Sequence, residues 1–327
     1  MKAISLFSGG LDSQLAVCLM KEQGIEIIGI NFTTPFFGAE ESTIKAAKDL
    51  DIELTTIHLG EEYLKVLKNP VYGYGKNMNP CIDCHAFMQK KAVQYMKEIG
   101  ASFLISGEVV GQRPMSQTFS SLNAVDKLAG IKGIMVRPLS AKLLTPTIAE
   151  ENGWIDRDKM LDISGRTRNW QMELAEHYGL KDYPTPAGGC LLTQQNYSKR
   201  LKTYLEAFPM AAANDLYILR YGRHFYLEEN LLLMIGRNQA ENQALVKNAR
   251  SGDLFMKILD RPGPTSIVRT RQDLSEDDLI KAAQITARYG DTQDCDSVNV
   301  KVYKNKEDII NILKVTPLKP NETPQPI

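Results

Sequence analysis

Apolar positions in the first half of the chain alternate between two spacings. Continuous apolar runs predict buried strands, whereas apolar residues three or four positions apart predict helices. The predicted strands are residues 3–7, 25–31, 52–58 and 103–106, and the predicted helices are residues 13–23, 40–50, 63–67, 83–99 and 168–177. This alternation predicts an α/β fold with a parallel sheet covered by helices on both faces, in which ligands lie at the carboxyl ends of the strands.

The pattern changes in the second half of the chain. A helical spacing over residues 197–208 is followed by short strand-like runs at 216–221, 223–227 and 231–235, separated by turn residues. We therefore predict a first domain over residues 1–195, a connecting helix at 196–211 and a smaller α+β domain over 212–312. The proline-rich end, 313–327, is predicted to be disordered.

A glycine-rich turn, Ser8-Gly9-Gly10-Leu11-Asp12-Ser13, joins the first predicted strand to the first predicted helix. Glycines let the backbone approach a ligand closely, and the start of a helix offers free N–H groups that suit phosphate. Asp12 could hold Mg²⁺. The turn lacks the Gly-Lys-Ser/Thr ending of a Walker loop. The alternative is a glycine turn capped by Asp12 that binds nothing.

Two further pairs of residues follow predicted strands and should face the same crevice. Asn31 and Phe32 follow the second strand, and Ser106 and Gly107 follow the fourth. The backbone at Asn31 and Phe32 could hold an adenine ring, although a plain strand end explains the pattern nearly as well. With the glycine-rich turn, these pairs form the predicted nucleotide site.

The five cysteines fall into different settings. Cys18 lies among apolar residues of the first helix and Cys295 in a polar stretch, so neither indicates a site. Cys81 and Cys84 form a C-x-x-C step, which can direct two thiolates at one metal, cluster or redox partner. Cys190 follows two prolines and two glycines, which form a rigid loop able to hold its sulfur in place.

The C-x-x-C step could also be a pair of buried thiols or part of a structural zinc site. Zinc usually takes four protein ligands, and the neighbouring candidate for a fourth is His85. A set of three cysteines suits an iron–sulfur cluster with one open iron better than a closed zinc site.

Composition is that of an ordinary globular protein. The chain has 39 basic and 39 acidic residues, and residues 199–271 hold twelve of the basic and seven of the acidic ones. Binding of RNA needs a basic face rather than a basic protein, although ordinary fluctuation explains this excess equally well. No apolar run is long enough to span a membrane, the chain opens directly on a strand, and the cysteines are few. We therefore expect a cytoplasmic protein.

The motifs of the first domain resemble those of a known enzyme family. The glycine-rich turn resembles the PP-loop of ATP pyrophosphatases, whose sheet is HUP-like. Asn79-Pro80-Cys81-x-x-Cys84 and the Ala-Gly-Gly-Cys step at 187–190 occur in the order found in tRNA 2-thiouridine and 4-thiouridine synthases. Residues 105–117 resemble the T-G-E-x-x-G-Q-x-x-S-Q element of the second group, with Ser106 in place of threonine and an Arg113-Pro114 pair. Arg137-Pro138-Leu139 matches the R-P-L that follows.

This resemblance implies an activity and a set of cofactors. Members bind ATP over the PP-loop with Mg²⁺, adenylate a base carbonyl of tRNA and replace its oxygen by sulfur. Some use two cysteines and a persulfide, and others use three cysteines that hold a 4Fe–4S cluster. The three-cysteine arrangement favours the cluster, with zinc or no metal as the lesser possibilities. The resemblance makes Cys81, Cys84, Cys190 and Asp12 the catalytic candidates. It implies a sulfur donor: sulfide, a cysteine desulfurase or a sulfur carrier protein.

The second half resembles the NFACT RNA-binding domain. Its G-R-N-x-x-x-N pattern is present from Gly236, and its D-L-W-x-H pattern is present with Phe255 and Lys257 in place of tryptophan and histidine. The alternative is a small domain in which Arg237 forms an ion pair and Phe255 packs in the core. The predicted RNA contacts are Arg113, Arg220, Arg223, Arg237, Asn242, Phe255 and Lys257.

These observations predict an ATP-dependent tRNA sulfurtransferase with two domains. One alternative is a PP-loop synthetase acting on a small molecule, which would have no need of an RNA-binding half. Another is an RNA-binding factor whose cysteines hold a structural metal.

Overall fold

The computed structural model describes residues 1–38, 41–184, 189–304 and 308–327. The chain forms two compact units, Met1–Thr193 and Gln194–Ile327. Each unit has its own sheet and its own hydrophobic core. Within the described ranges, no helix is both long and apolar enough to cross a bilayer.

The first unit contains a five-stranded parallel sheet in the order β3-β2-β1-β4-β5. Its strands are β1 (Lys2–Leu6), β2 (Glu26–Thr33), β3 (Glu53–His58), β4 (Phe103–Ser106) and β5 (Met135–Val136). The chain proceeds outward from β1 in one direction and then returns to its other side at β4. The crevice between β1 and β4 is therefore the switch point at which such sheets bind ligands. This confirms the predicted fold class.

Helices connect these strands and bury their apolar sides on the sheet. They are α1 (Leu11–Glu22), α2 (Glu41–Asp49), α3 (Glu61–Lys68), α4 (Cys81–Glu98), α5 (Phe119–Ala129), α6 (Ile148–Glu151) and α7 (Asn169–His177), with 3₁₀ turns at Ala141–Leu143, Arg157–Lys159 and Leu191–Thr193. The sequence predicted that α4 begins at residue 83, but the helix begins two residues earlier, at Cys81. The helix begins directly after Pro80, whose fixed ring angle suits the residue before a helix.

The second unit contains a six-stranded antiparallel sheet in the order β11-β10-β8-β9-β7-β6. Its helices are α8 (Gln195–Ala207), α9 (Gln239–Lys247) and α10 (Glu276–Arg288). Its strands are β6 (Arg223–Glu228), β7 (Leu231–Ile235), β8 (Leu254–Ile258), β9 (Thr265–Thr270), β10 (Val298–Tyr303) and β11 (Ile309–Val315). Helix α10 packs on one face of the sheet, where the core includes Met256, Val300 and Ala283.

One predicted strand of the second unit is wrong. Residues 216–221 read as strand-like, but Ala213–Arg220 forms a 3₁₀ helix. The Asp215 carboxylate accepts the backbone N–H of Ala212 at 3.0 Å and fixes the start of this turn. Leu216, Ile218 and Leu219 are all fully buried, a pattern that does not follow the two-residue period of a half-buried strand.

The predicted disordered end also needs correction. Residues 313–315 complete β11, which pairs with β10, so the boundary drawn at 312 cuts through a strand. Leu318 packs against the core of the second unit, and the Ile327 N–H donates to the carbonyl of His224 at 2.9 Å. The four prolines led to the prediction of disorder, because proline has no backbone N–H to donate. Proline nevertheless allows neighbouring residues to be buried.

A buried ion pair holds β8 to β9 in the second unit. Arg269 is fully buried and donates Nε and Nη2 to the Asp253 carboxylate at 2.9 and 2.7 Å. Its Nη1 donates to the Tyr204 hydroxyl on α8 at 2.7 Å. Removing one member of such a pair leaves an uncompensated buried charge.

We predict that Asp253→Ala lowers the free energy of unfolding of the second unit by about 3–5 kcal/mol, the usual effect of breaking a buried ion pair. Urea unfolding followed by circular dichroism measures the change. The matched control is Asp296→Ala, which removes an exposed carboxylate of the same unit and should change stability by less than about 0.5 kcal/mol. Equal stability of both variants would contradict the structural role of the pair.

Candidate active site

The glycine-rich turn at residues 8–13 joins β1 to the start of α1, and we call it the phosphate loop after its predicted ligand. Gly9 has a φ of +74°, and a Cβ atom there would stand 2.7 Å from the Thr43 backbone, so this position requires glycine. The Ser13 hydroxyl donates to the Gly10 carbonyl at 2.8 Å, and the Thr43 hydroxyl donates to the Ser8 carbonyl at 3.1 Å. No side chain caps the start of α1. Its first N–H groups therefore have no side-chain acceptor at the cap, which suits a bound phosphate.

Asp12 is tied to two residues that sequence reasoning did not connect with it. Its Oδ2 accepts from Arg168 Nη2 at 2.7 Å and from Gln112 Nε2 at 3.0 Å. The Asp12 Oδ1 and Gln112 Oε1 atoms are buried and have no hydrogen-bond partner among the described residues. Two such oxygens fit the preference of Mg²⁺ for oxygen ligands, and Arg168 brings a positive charge to the same place.

The end of β4 passes directly over the phosphate loop. A Cβ atom at Gly107 would stand 2.4 Å from the carbonyl carbon and oxygen of Asp12, so only glycine permits this approach. The preceding Ser106 is buried, and its hydroxyl donates to Glu108 Oε2 at 3.0 Å. Gly107 therefore places the loops after β1 and β4 in contact at the switch point.

Asn31 and Phe32 occupy the end of β2 and are both buried. Asn31 Nδ2 donates to the Phe7 carbonyl at 2.8 Å and so holds β2 to the end of β1. The Asn31 Oδ1 atom is buried without a hydrogen-bond partner among the described residues. The predicted contact of these two residues with adenine stays a prediction.

Cys81 and Cys84 lie in the first turn of α4, three residues apart and therefore on one side of the helix. Asn79 Nδ2 donates to the Cys81 sulfur at 3.2 Å. The Tyr63 hydroxyl donates to the Cys84 sulfur at 3.3 Å. Tyr63 is buried, so its ring fixes the position of the hydroxyl.

The loop before α4 is fixed by the C-x-x-C step itself. Asp83, between the two cysteines, accepts the backbone N–H groups of Val71 and Tyr72 at 2.6 and 3.0 Å. The carboxylate is buried and thus satisfies two loop donors that would otherwise need water. This role of Asp83 was not predicted.

Cys190 is brought to the other two thiols by contacts of the residues that follow it. Leu191 N–H donates to the Phe36 carbonyl at 3.1 Å, and Asn77 Nδ2 donates to the Thr193 carbonyl at 2.7 Å. Asn77 precedes Cys81 by four residues, so this bond joins the two cysteine segments. Of the predicted Ala-Gly-Gly-Cys step, residues 187 and 188 lie outside the described residues.

The three thiols influence one another electrostatically. Burial raises the pKa of Cys84, and the neighbouring Cys190 and Cys81 raise it further, while the Tyr63 hydrogen bond acts in the opposite direction. Burial likewise raises the pKa of Cys190 to about 11, with Cys81 adding to the effect and Arg113 opposing it. Sulfur atoms from two segments more than a hundred residues apart in the chain therefore share one region.

The types of ligand in this region fit an iron–sulfur cluster, because such clusters are held by soft thiols. In the placement described, however, no three His, Cys, Asp or Glu side chains surround a point at which a metal ion would be held. The other two cysteines are separate. Cys18 is buried in α1 and its pKa is raised to about 11 by that burial, and the Cys295 sulfur contacts Asp294 in the second unit.

A buried charge network joins the thiol region to the phosphate loop. Glu108, next to Gly107, accepts from His85 Nδ1 at 2.9 Å and from Arg137 Nε at 2.9 Å. Arg137 also donates two hydrogen bonds to Asp126 at 2.7 and 3.0 Å. Burial alone would raise the pKa of Glu108, but Arg137 and His85 lower it to about 2. The motifs contained Glu108 and Arg137, yet nothing in the sequence showed that they form a pair.

Several predicted RNA contacts have structural partners in the described residues. Arg237 donates Nε to both Glu241 oxygens at 2.9 Å, and this bond lowers the pKa of Glu241 to about 2. Asn242 Oδ1 accepts the Thr265 N–H at 3.1 Å. Arg223 lies over the Tyr289 ring at 4.6 Å. These intramolecular contacts do not test RNA binding, so the RNA contacts of Arg237, Asn242 and Arg223 stay predictions.

The remaining predicted RNA contacts are Arg220, Arg113 and the pair Phe255 and Lys257 on β8. Arg220 lies over the Tyr217 ring at 5.7 Å, while Arg113 is exposed in the first unit and close enough to Cys190 to influence its pKa. Phe255 is half-buried and Lys257 is exposed, two residues apart on β8. They therefore point to the same face of the sheet.

Comparisons with known proteins agree with the division into two units. Residues 1–142 match the family described as thiamine biosynthesis protein (ThiI), and residues 222–326 match the family described as NFACT protein RNA binding domain. The first unit therefore contains a region similar to the ThiI family, and the second contains a region similar to the NFACT RNA-binding domain; we call the two units the ThiI-type domain and the NFACT-type domain. Both resemblances inferred from the motifs are thereby confirmed.

Curated relatives match between half and two thirds of the chain. A probable tRNA sulfurtransferase of Thermococcus kodakarensis is 26% identical over 184 residues, covering 52% of this chain and 42% of that protein. The tRNA-specific 2-thiouridylase MnmA of Methylobacillus flagellatus is 30% identical over 222 residues, covering 64% and 59%. A probable tRNA sulfurtransferase of Methanosarcina mazei is 32% identical over 173 residues, covering 50% and 38%. The chain thus spans between 38% and 59% of the length of these relatives.

We predict that the five thiols of the chain differ in reactivity in the native, metal-free, reduced protein. Cys84 and Cys18 are buried and their pKa values are raised, so their reactive thiolate forms appear only at high pH. Iodoacetamide at pH 8 should therefore modify the half-exposed Cys81 and Cys295 first. Mass spectrometry of peptides at successive times measures the order, and the same reaction in urea is the control, in which the five rates should converge.

Proposed function

We propose that this chain is an ATP-dependent tRNA sulfurtransferase that adenylates a base carbonyl of tRNA and replaces its oxygen by sulfur. One series of contacts carries the proposal. Gly107 touches the Asp12 backbone, Glu108 beside it binds His85, and His85 adjoins Cys84. These contacts connect the predicted phosphate-binding loop to the start of α4, which contains two of the three candidate cysteines.

The phosphate loop supplies the first step. The N–H groups at the start of α1 and the Ser8 and Ser13 hydroxyls hold the phosphates of ATP, and Asp12 and Gln112 offer oxygens to Mg²⁺. The base carbonyl oxygen attacks the α-phosphorus, a new O–P bond forms, and pyrophosphate leaves with the electrons of the broken bond. Arg168, which donates to Asp12, would neutralise charge on the departing pyrophosphate.

The three thiols supply the second step. Cys81, Cys84 and Cys190 would hold a 4Fe–4S cluster, which would supply Lewis-acid chemistry for binding hydrosulfide. Hydrosulfide then attacks the activated carbon and AMP leaves with the original oxygen, so the exchange consumes no reductant. Arg113, near Cys190, adds a positive charge that favours the approach of the sulfur anion.

The substrate is assigned to tRNA because the same chain contains an NFACT-type RNA-binding domain. The curated relatives of the ThiI-type domain bear the names of tRNA-thiolating enzymes. A base stacked in a helix must leave the stack before its carbonyl can reach the loop. A synthetase that acts on a small molecule would need no such domain.

We predict that Asp12→Ala slows ATP-to-pyrophosphate turnover by at least about a hundredfold, because it removes a Mg²⁺ ligand and releases Arg168. Pyrophosphate release in the presence of bulk tRNA measures this step. The matched control, Asp49→Ala, removes an exposed carboxylate of α2 and should leave the rate unchanged.

The same variants test the product in cells. Mass spectrometry of tRNA nucleosides from a deletion strain should show loss of one thionucleoside, which wild type and Asp49→Ala restore and Asp12→Ala does not. An unchanged nucleoside profile in the deletion strain would contradict the proposed function. Pyrophosphate release by folded Asp12→Ala at the wild-type rate would remove Asp12 from the mechanism.

We also predict that the anaerobically purified protein is brown and contains about four iron and about four sulfide per chain. Cys81→Ala, Cys84→Ala and Cys190→Ala should each lose the colour and thiolation together. Cys18→Ala and Cys295→Ala are the controls and should keep both. A colourless active protein would indicate a persulfide instead, and one zinc per chain would indicate a structural metal.

A further inference from the structure

The two faces of the second sheet differ on its β8-β10-β11 side. One face is covered by α10 and contributes Met256, Val300, Val302 and Leu313 to the core. The alternate residues point the other way. They are Phe255 and Lys257 on β8, Asn299, Lys301 and Tyr303 on β10, and Ile312 and Lys314 on β11. Each of these is exposed or only partly buried.

The register brings these residues into an ordered array. Phe255 is opposite Tyr303, and their rings are stacked with centroids 5.4 Å apart and planes 23° apart. The next pair is Lys257 opposite Lys301, and the Lys301 ammonium lies 4.9 Å from the centre of the Tyr303 ring. We call Phe255, Lys257, Lys301, Tyr303, Ile312 and Lys314 the lysine–aromatic face.

Two features of this array are unfavourable for the fold. Like charges directly opposite each other in a sheet are destabilising, as Lys257 and Lys301 are. Ile312, opposite Lys301 on the outer strand, is 52% exposed and so leaves apolar area in water. On the same side of the sheet farther along, Arg269 of β9 is instead covered by Tyr204 of α8. An anionic ligand with flat apolar parts would relieve both unfavourable features.

We propose that the lysine–aromatic face binds unpaired RNA, with bases stacked on the Phe255–Tyr303 pair and phosphates held by Lys257, Lys301 and Lys314. Aromatic platforms combined with basic side chains are how proteins hold single strands. A duplex hides the faces of its bases and would use only the lysines. The inference rests on the proposed function for its ligand, a tRNA, and specifies which part of it this domain holds.

Charge argues against a protein partner on this face. Its outward positions along β8, β10 and β11 contain three lysines and no acidic residue in the described parts of these strands. A second copy would have to bring lysines against lysines if the same face met itself. The phosphate backbone instead supplies a negative charge for each nucleotide.

The test measures binding of the full chain to two labelled RNAs by fluorescence anisotropy: a twelve-nucleotide oligouridylate and a twelve-base-pair duplex. Tyr303→Leu should weaken oligouridylate binding by at least about fivefold, the lower end of one lost stacking contact, and Tyr303→Trp should restore it. The triple variant Lys257→Gln, Lys301→Gln and Lys314→Gln should lower the salt slope for oligouridylate by about 2. Duplex binding should be insensitive to Tyr303→Leu.

The matched control for the triple variant is Lys202→Gln, Lys247→Gln and Lys281→Gln, which removes the same charge from exposed positions on helices α8, α9 and α10. It should retain the wild-type salt slope. Thermal unfolding of each variant verifies that the fold is intact. Equal effects of the two triple variants, or wild-type affinity of Tyr303→Leu, would overturn the proposal.

Two further results have defined meanings. A dimer in solution that Ile312→Lys converts to a monomer, with RNA affinity unchanged, would assign the face to a second copy and overturn the proposal. Because the binding assay needs no ATP, it is independent of thiolation. Loss of affinity in Tyr303→Leu together with an unchanged nucleoside profile in the deletion strain would support the face and reject the proposed sulfurtransferase.

Discussion

The close contact between Gly107 and Asp12 is the constraint on which the rest of the first unit depends. The β1-α1 turn and the end of β4 can touch only because position 107 has no side chain, with the Asp12 carbonyl 2.4 Å from where a Cβ atom would stand. The strand order puts β1 and β4 side by side, and the glycine makes their two loops one surface. The phosphate loop is therefore in direct contact with the segment that contains Glu108.

Glu108 extends this connection to the thiols. A carboxylate buried as deeply as this one is stable only when it is paired, and here it binds both His85 of α4 and Arg137 after β5. Arg137 in turn donates two hydrogen bonds to Asp126 of α5. The start of α4, which bears Cys81 and Cys84, is thus fixed relative to the sheet by charge as well as by packing. Such fixed placement suits chemistry in which two reagents must meet at one carbon.

Some polar residues of the second unit form hydrogen bonds within the fold, and others lie on an exposed face of its sheet. The residues of its G-R-N-x-x-x-N motif are largely used within the fold: Arg237 binds Glu241, and Asn242 binds the Thr265 backbone. The outer face of β8, β10 and β11 has the opposite character, since its lysines and rings satisfy no buried partner. Arg237 illustrates that a residue of a recognisable motif can also help to build the domain.

The sequence by itself determined the parallel sheet, the phosphate loop, the C-x-x-C step and the presence of a second, RNA-binding-like domain. These features are local: a glycine turn between a strand and a helix, or two cysteines three residues apart, has its geometry set by neighbours in the chain. The errors were local as well. Residues 216–221 formed a 3₁₀ turn because Asp215 caps it, and residues 313–315 joined β11 although prolines follow them.

Only the tertiary structure decided which distant residues meet. Arg168 and Gln112 reach Asp12, Glu108 pairs with Arg137, Asn77 ties the Cys81 segment to the residues after Cys190, and Tyr303 stacks on Phe255. Each of these contacts depends on strand order or on the register between strands that are far apart in sequence. Periodicity fixes the side of an element on which a residue lies, but it contains no information about the element opposite.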